Sequence, residues 1–224
     1  MYKRQKISSF LHARFEKIEA LEPDLILAFS DLQADITTEL VKRGHSVFTF
    51  NQRSVAEILQ MIRMLGGIVG VPEKAEQLAS RLEAGLDEIR AAAASLPRRP
   101  RVYFEEWDDP LIGGIRWTEE LIEIAGGEPI FPEHRNASLA KDRIVTSAQV
   151  IERAPELIIG SWCGKPVRSE RIKARPGWDM VPAVRDGQIH EVKSTYILQP
   201  GPAALTEGAR QIAAIVRQWS AAQP

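Results

Sequence analysis

A chain of 224 residues, 44% apolar and 26% charged, is long enough for one large domain or for two modest lobes, each with its own core. The formal net charge of −1 supplies no basic field for nucleic acid, and no apolar run approaches the roughly 18–20 residues that span a bilayer. The single cysteine, Cys163, excludes an internal disulfide framework.

The chain opens with "MYKRQKISSFLHARFEKIEALEP", which is basic but lacks an apolar stretch followed by a small-residue cleavage site. It is therefore no signal peptide. Its first five residues differ in character from the rest of the segment, and the chain reads as truncated or already processed. From Ile18 the segment "IEALEPDLILAFSD" predicts a short helix, a stop at Pro23, an apolar strand and a polar, aromatic tip. The same unit recurs from Val150 as "VIERAPELIIGSWC", with Pro155 as the stop. Each copy is followed by a second strand behind a turn: Gly44 in "VKRGHSVFTF" and Asp186-Gly187 in "AVRDGQIHEV".

Between the copies, Pro72 opens a helix on which Leu78, Leu82, Leu86 and Ile89 recur at helical spacing, and Pro97 and Pro100 close it. About 24 helical residues reach about 36 Å. Placed between two matching halves, this helix reads as a rigid spine. The expected organisation is an α/β fold of two Rossmann-like lobes joined by that helix: 1–71 as a first, incomplete lobe, 72–97 as the spine, and 98–224 as the second lobe. A stiff spine predicts small lobe motions on binding.

Ligands in open α/β sheets bind beyond the carboxyl ends of the strands. That rule selects Phe29-Ser30-Asp31, Asn51-Gln52-Arg53, Glu105 to Asp109, and Trp162-Cys163. The third loop belongs to "RVYFEEWDDPLIGG", where four carboxylates surround Trp107. It reads as the lip of a binding cleft, as a solvated turn, or as a catalytic or metal-ligating pair. His12, His45, His134 and His190 lie scattered without HxxxH spacing, so no dedicated metal cage is expected. The chain ends in an amphipathic helix after "LQPGPAAL", with Leu205, Ala209, Ile212, Ile215 and Trp219 on its apolar face.

The spine helix, the repeated "PDLIL" strands, "ELIEIAGGEPIF" and the last helix together resemble the helical-backbone class of ABC-importer substrate-binding proteins. Members of that class bind cobalamin, ferric siderophores, haem or metal ions. "FSDLQAD", "FNQRS", "FEEWDDPLI", "SWCGK" and "ILQPGP" are, as a set, most similar to the cobalamin (corrinoid)-binding branch. The resemblance runs from Lys6 onward and implies a further strand and helix ahead of "KISSF".

It also implies that Phe10, Phe29, Trp107, Trp162 and Tyr196 hold a flat chelate, with polar selection by Ser30, Asp31, Gln52, Arg53, Glu105 and Glu106. Aromatic faces bury large planar area at little rotamer cost, although each of these aromatics also reads as simple core. It further implies docking on an ABC permease through Asp35 on the first lobe and Glu119 or Glu120 on the second. Acids in a first helical turn also have the simpler reading of favourable helix-dipole partners.

Cys163 reads either as a small buried hydrophobe or as a thiolate favoured by Lys165 and able to ligate the metal of a bound chelate. The expected protein is a monomeric receptor, periplasmic or cell-surface in its full-length form. It has no intrinsic cofactor and catalyses no reaction; cobalamin or a related corrinoid is the ligand. Ferric siderophore or haem is the alternative, for which Arg53 and Arg116 speak. An enzyme using Glu105, Glu106 and Cys163, or a cytoplasmic carrier or sensor of the same fold, are the readings from other classes.

Overall fold

A computed structural model of the chain describes residues 11–223. The chain divides into two compact units, one ending at Gln52 and the other beginning at Arg53. In the first, α1 (Phe15–Glu19) precedes β1 (Ile26–Phe29), α2 (Ala34–Lys42) and β2 (Val47–Phe50). β1 and β2 are parallel, from Ile26 opposite Val47 to Phe29 opposite Phe50. Among its described residues, Ile18, Ala28 and Leu40 are the buried apolar ones.

The second unit starts with α3 (Val55–Ile68) and α4 (Pro72–Ala93), followed by β3 (Arg101–Asp108), β4 (Leu111–Gly113), α5 (Arg116–Ile124) and β5 (Glu128–Pro129). Then come α6 (Ser147–Arg153), β6 (Leu157–Gly160), α7 (Ser169–Lys173), α8 (Pro182–Arg185), β7 (Ile189–Glu191), α9 (Ser194–Ile197) and α10 (Ala209–Ala221). The sheet runs β4-β3-β6-β7, with β5 pairing β3 beside β4. β3, β5, β6 and β7 are parallel, and β4 is an antiparallel hairpin partner of β3.

Strand alternation divides the apolar residues of this sheet between two layers. Val102, Phe104, Leu157 and Ile159 join α3, α4, α5 and α10 in one core. Tyr103 and Ile158 face the other way, into a core with Phe131, Val150, Trp162 and Trp178. "LIIG" is buried on both faces, as a central parallel strand must be.

The internal repeat is real at the level of backbone. α1 leads to β1 and α6 to β6, and each strand takes a parallel neighbour, β2 or β7. The residue before each helix-stopping proline sits in the left-handed region, Glu22 at φ 47° and Ala154 at φ 44°. A proline disfavours right-handed helix in the residue that precedes it, so neither chain segment can continue its helix through that point.

The boundary expected at residue 71 falls instead after Gln52. The reason lies in α3, which begins at once with a capping box between Ser54 and Glu57. Its Ile58, Leu59 and Ile62 share a core with Ala75, Ala79, Leu82 and Leu86 of α4. α4 stops at Ala93, short of the expected 97, and its 22 residues reach about 33 Å. It is lined along its length by α3, α5 and α10 within the second unit. No helix among the described residues is long and apolar enough to cross a membrane.

Two substitutions probe this packing. A Cβ on Gly66 would lie 2.1 Å from the Cβ of Ala75, so α3 and α4 touch through a missing side chain. Gly66→Ala is expected to cost about 1–3 kcal/mol in denaturant unfolding despite the better helix propensity of alanine. Ser30, at the tip of β1, has φ 78° and ψ 149°, close to a region that is essentially reserved for glycine. It is held by its own N–H to the Phe50 carbonyl and by its hydroxyl, which accepts from the Leu32 N–H. Ser30→Gly should be more stable than Ser30→Ala by about 1–2 kcal/mol, since only glycine relieves the strain.

Candidate functional site

β3 and β6 lie side by side with Glu105 opposite Gly160, so their carboxyl ends deliver Glu105 to Asp108 and Ser161 to Cys163 to one edge. The turn after β7 joins them there: the Gly164 N–H donates to the Ser194 hydroxyl at the start of α9, which carries the half-buried Tyr196.

Glu105 is 0% exposed. The Arg175 guanidinium grips it in a fork at 2.6 and 2.8 Å, and the Trp162 indole N–H donates to it at 2.9 Å. The Ser161 N–H reaches its main-chain carbonyl. Both side-chain oxygens are therefore engaged inside the protein. This corrects the expectation that Glu105 lines a lip. Trp162, 1% exposed, is likewise a core residue and offers no ring to a ligand in this conformation.

Glu106 is also paired, with Arg143 at 2.6 and 3.3 Å. Arg143 is buried and donates to the Gly113 carbonyl too, so the pair ties the β3–β4 hairpin to the segment beyond it.

Trp107 is half-buried, with part of its ring at the surface. Its indole N–H donates to the Asp109 carbonyl at 2.9 Å, which fixes the ring. The Lys165 ammonium stands 3.8 Å from the ring centroid and 5.1 Å from that of Trp162. Lys165 also bonds one oxygen of Asp108, and Arg171 approaches the other at 3.1 Å. Burial alone would raise the Asp108 carboxyl, but the Lys165 hydrogen bond and the charges of Lys165 and Arg171 hold it below the usual carboxylate range. Cys163 is exposed and free, not a buried hydrophobe; the ammonium of Lys165 is engaged with Asp108 and Trp107.

In the first unit, the Asp31 N–H donates to the Asn51 side chain at 3.2 Å. The Phe29 N–H donates to Gln33, and Gln52 is buried. Phe10 lies outside the described residues. Arg53 opens the second unit, with its N–H on Glu57 at 2.6 Å. Arg116 pairs with Glu120 at 2.8 Å.

Of the three docking acids expected, Asp35 alone is exposed, in the first turn of α2. Glu120 caps α3 by accepting the Val55 N–H at 2.7 Å. Glu119 is 3% exposed, with one oxygen buried and without a hydrogen-bond partner. Both corrections have one cause: α5 turns the start of its first turn toward the protein, not toward solvent.

Arg143, Arg171 and Arg175 were not legible as site residues because they lie 37–70 residues from the acids they neutralise. The available signal was charge: "CGKPVRSERIKAR" holds five cations and one acid just after an acidic strand tip. Among the described residues no group of three or more His, Cys, Asp or Glu side chains is arranged to hold a metal ion. Two cavities of the second unit lie away from the strand tips. One of about 550 Å³ is lined by Leu59, Ile124 and Arg135, and one of about 430 Å³ by Arg98, Arg185 and Trp219.

Burial and the neighbouring Glu123 push the Glu119 carboxyl up to about 8. A folded-state value above the unfolded one means that the folded protein binds the extra proton. Stability should then fall as pH rises from the ordinary glutamate range to about 8, by about 1.4 kcal/mol per pH unit at most. Glu119→Gln should be more stable than the parent at neutral pH, with a gap that widens up to about pH 8. Melting temperatures across that range, from circular dichroism, check it; parallel pH profiles would sink it.

A protein-family model described as "Periplasmic binding protein" matches residues 3–196. The ABC transporter substrate-binding lipoprotein YvrC of Bacillus subtilis is 25% identical over 212 residues, which is 91% of this chain and 65% of that protein. A vitamin B12-binding protein of Vibrio vulnificus is 25% identical over 210 residues, 91% of this chain and 72% of that protein. An ABC transporter substrate-binding protein from Listeria monocytogenes superposes with a TM-score of 0.82 at 18% identity, covering 94% of this chain and 83% of that one. IsdE of S. aureus, complexed with heme, gives a TM-score of 0.76 at 15% identity, with 92% and 81% covered. The last two likenesses speak for the fold. With a family match that spans most of its length and this fold beneath it, the chain belongs to the periplasmic binding protein family.

Proposed function

We propose that this chain is the ligand-capturing component of an ABC importer, taking up cobalamin or a related corrinoid outside the cytoplasm and handing it to a permease. One observation carries this reading: Trp107, fixed by its own indole hydrogen bond, stays partly exposed at the carboxyl ends of parallel strands while every neighbouring carboxylate on β3 is engaged. A rigid aromatic plate held in place at strand tips suits the binding of a flat ligand. The vitamin B12-binding relative supports the corrinoid as the first ligand to try. Phe29, Ser30, Asp31 and Gln52 on the first unit, with Arg53, Cys163 and Tyr196 on the second, are the further contacts proposed. Asp35 is proposed for permease docking. Haem or a ferric chelate is the second reading, favoured by the Lys165 ammonium over the Trp107 ring.

Titration with cyanocobalamin, followed by calorimetry and by the visible corrin spectrum, tests the first reading. Stoichiometric binding is expected, weakened about tenfold in Trp107→Ala from the loss of one stacking face. Trp162→Ala should instead lower the melting temperature, since it empties a core position. Absence of binding, or an unchanged affinity in Trp107→Ala, would remove the corrinoid assignment at this tip.

A further inference from the structure

One buried ionisable group of the second unit takes no part in the pairing at the strand tips. Glu119, in the first turn of α5, is 3% exposed, and its Oε2 is buried with no hydrogen-bond partner. A Cβ on Gly114 would lie 2.5 Å from its Oε1, so the carboxyl rests against the turn between β4 and α5. The groups that face it are Glu123 on its own helix, Tyr103 on β3, and Glu133, Arg135 and Arg143 from the segment between α5 and α6. Arg135 and Arg143 favour its ionised form, yet both are engaged elsewhere. Arg135 holds Glu123, and Arg143 holds Glu106 and donates to the Gly113 carbonyl. Each keeps a buried Nε with no partner. The route from Glu119 to the tip is short. Gly113, next to Gly114, pairs with Glu105 across the β3–β4 hairpin, and Ile112 pairs with Trp107. Arg143 ties the two strands of that hairpin together, from Glu106 to Gly113.

We propose that Glu119 is a proton-controlled lock on the β3–β4 hairpin: protonated, it leaves Arg143 to tie the hairpin down; ionised, it draws Arg143 off and frees the hairpin that carries Trp107. A buried carboxylate without hydrogen bonds is costly, so loss of its proton to water forces a rearrangement toward a cation. Arg135 would answer within its own corner, since its partner Glu123 lies on α5. Arg143 would answer by releasing Glu106 and Gly113, and only that response reaches the tip. The lock holds at acid and neutral pH and opens as pH rises through about 8, to which burial and Glu123 push this carboxyl. Burial holds His134, which faces Gly113, below the usual histidine range, and raises the Tyr103 hydroxyl well above its own. Neither changes charge near pH 8. The bearing of the lock on ligand capture rests on the reading that Trp107 holds the ligand; the lock itself does not.

Fluorine NMR of the chain labelled with fluorotryptophan tests it. The work is done with Cys163→Ser, which takes the single thiol out of the titration, and signals are assigned by Trp107→Phe, Trp117→Phe and Trp219→Phe. Spectra are followed from about pH 6 to about pH 9, with and without Glu119→Gln, which mimics the protonated carboxyl. Trp117 stands two residues before Glu119 and reports on α5, Trp107 reports on the tip, and Trp219 on α10 is the control. Trp107 should shift with a single midpoint near 8 when Glu119 is present and stay still in Glu119→Gln, while Trp219 stays still in both. A Trp107 signal that does not move, whatever Trp117 does, overturns the lock. So does a Trp107 transition that survives Glu119→Gln, or one that Trp219 shares, since that is general loosening. Calorimetric titration with cyanocobalamin at both ends of the range tests the consequence. The parent should bind about tenfold more weakly at the upper pH, and Glu119→Gln should bind equally at both. Absence of binding at either pH removes the corrinoid reading and leaves the lock to be decided by the fluorine signals.

Discussion

The second unit depends on one buried ion pair. Glu105 sits at the point where two parallel strands end and their connecting loops begin, and its carboxylate is removed from water. Left alone, such a charge is strongly destabilising. Here the fork of Arg175 and the indole N–H of Trp162 satisfy it together. Arg175 lies beyond α7, so this contact pulls the whole segment after β6 back over the sheet. Arg175 in turn covers the Trp178 ring at 4.4 Å, which seals one end of the smaller core. Trp107, two residues on and past a shift in the pairing register with β4, packs on the same smaller core with part of its ring at the surface.

Alternation on β3 then determines which residues can serve a ligand. Val102 and Phe104 go to one core and Tyr103 to the other, and Glu105 is drawn inward by its arginine. Trp107 is held by the Asp109 carbonyl at the hairpin turn. The acidic stretch around one tryptophan thus resolves into three structural anchors, Glu105, Glu106 and Asp108, one half-buried aromatic, and one exposed acid, Asp109. The pairing also answers why so acidic a stretch forms a strand at all: the cations on it come from elsewhere in the chain, and each of those three acids has a fixed counter-charge.

Much of this was legible in the sequence because it is encoded locally. Pro23 and Pro155 lie between a helix and a strand in both copies, the runs after them have strand length, and Gly44 and Gly187 mark turns at φ 86° and 69°. Those signals place the strand tips without any long-range knowledge. Burial of Trp162 and Glu119 was not legible, since a polar neighbourhood in sequence says little about what covers a side chain in space. Gly66 looks like a helix flaw in isolation and becomes a close-packing point only when Ala75 is opposite it. Pairings such as Glu105 with Arg175 have no fixed spacing, so charge counting indicated an excess of cations but not their partners.

Lys165 places an occupant on the Trp107 face before any ligand arrives. The ring is therefore never a bare apolar surface, and whatever stacks on that face competes with an internal cation already held there by Asp108. Affinity at this face is an exchange, not an addition. A ligand with weak stacking and no charge of its own gains little by evicting an ammonium ion from an aromatic plate. One that carries both a broad flat face and a counter-charge for the displaced lysine gains twice. For any ligand brought to this face, the tethered lysine is thus a competitor to be displaced.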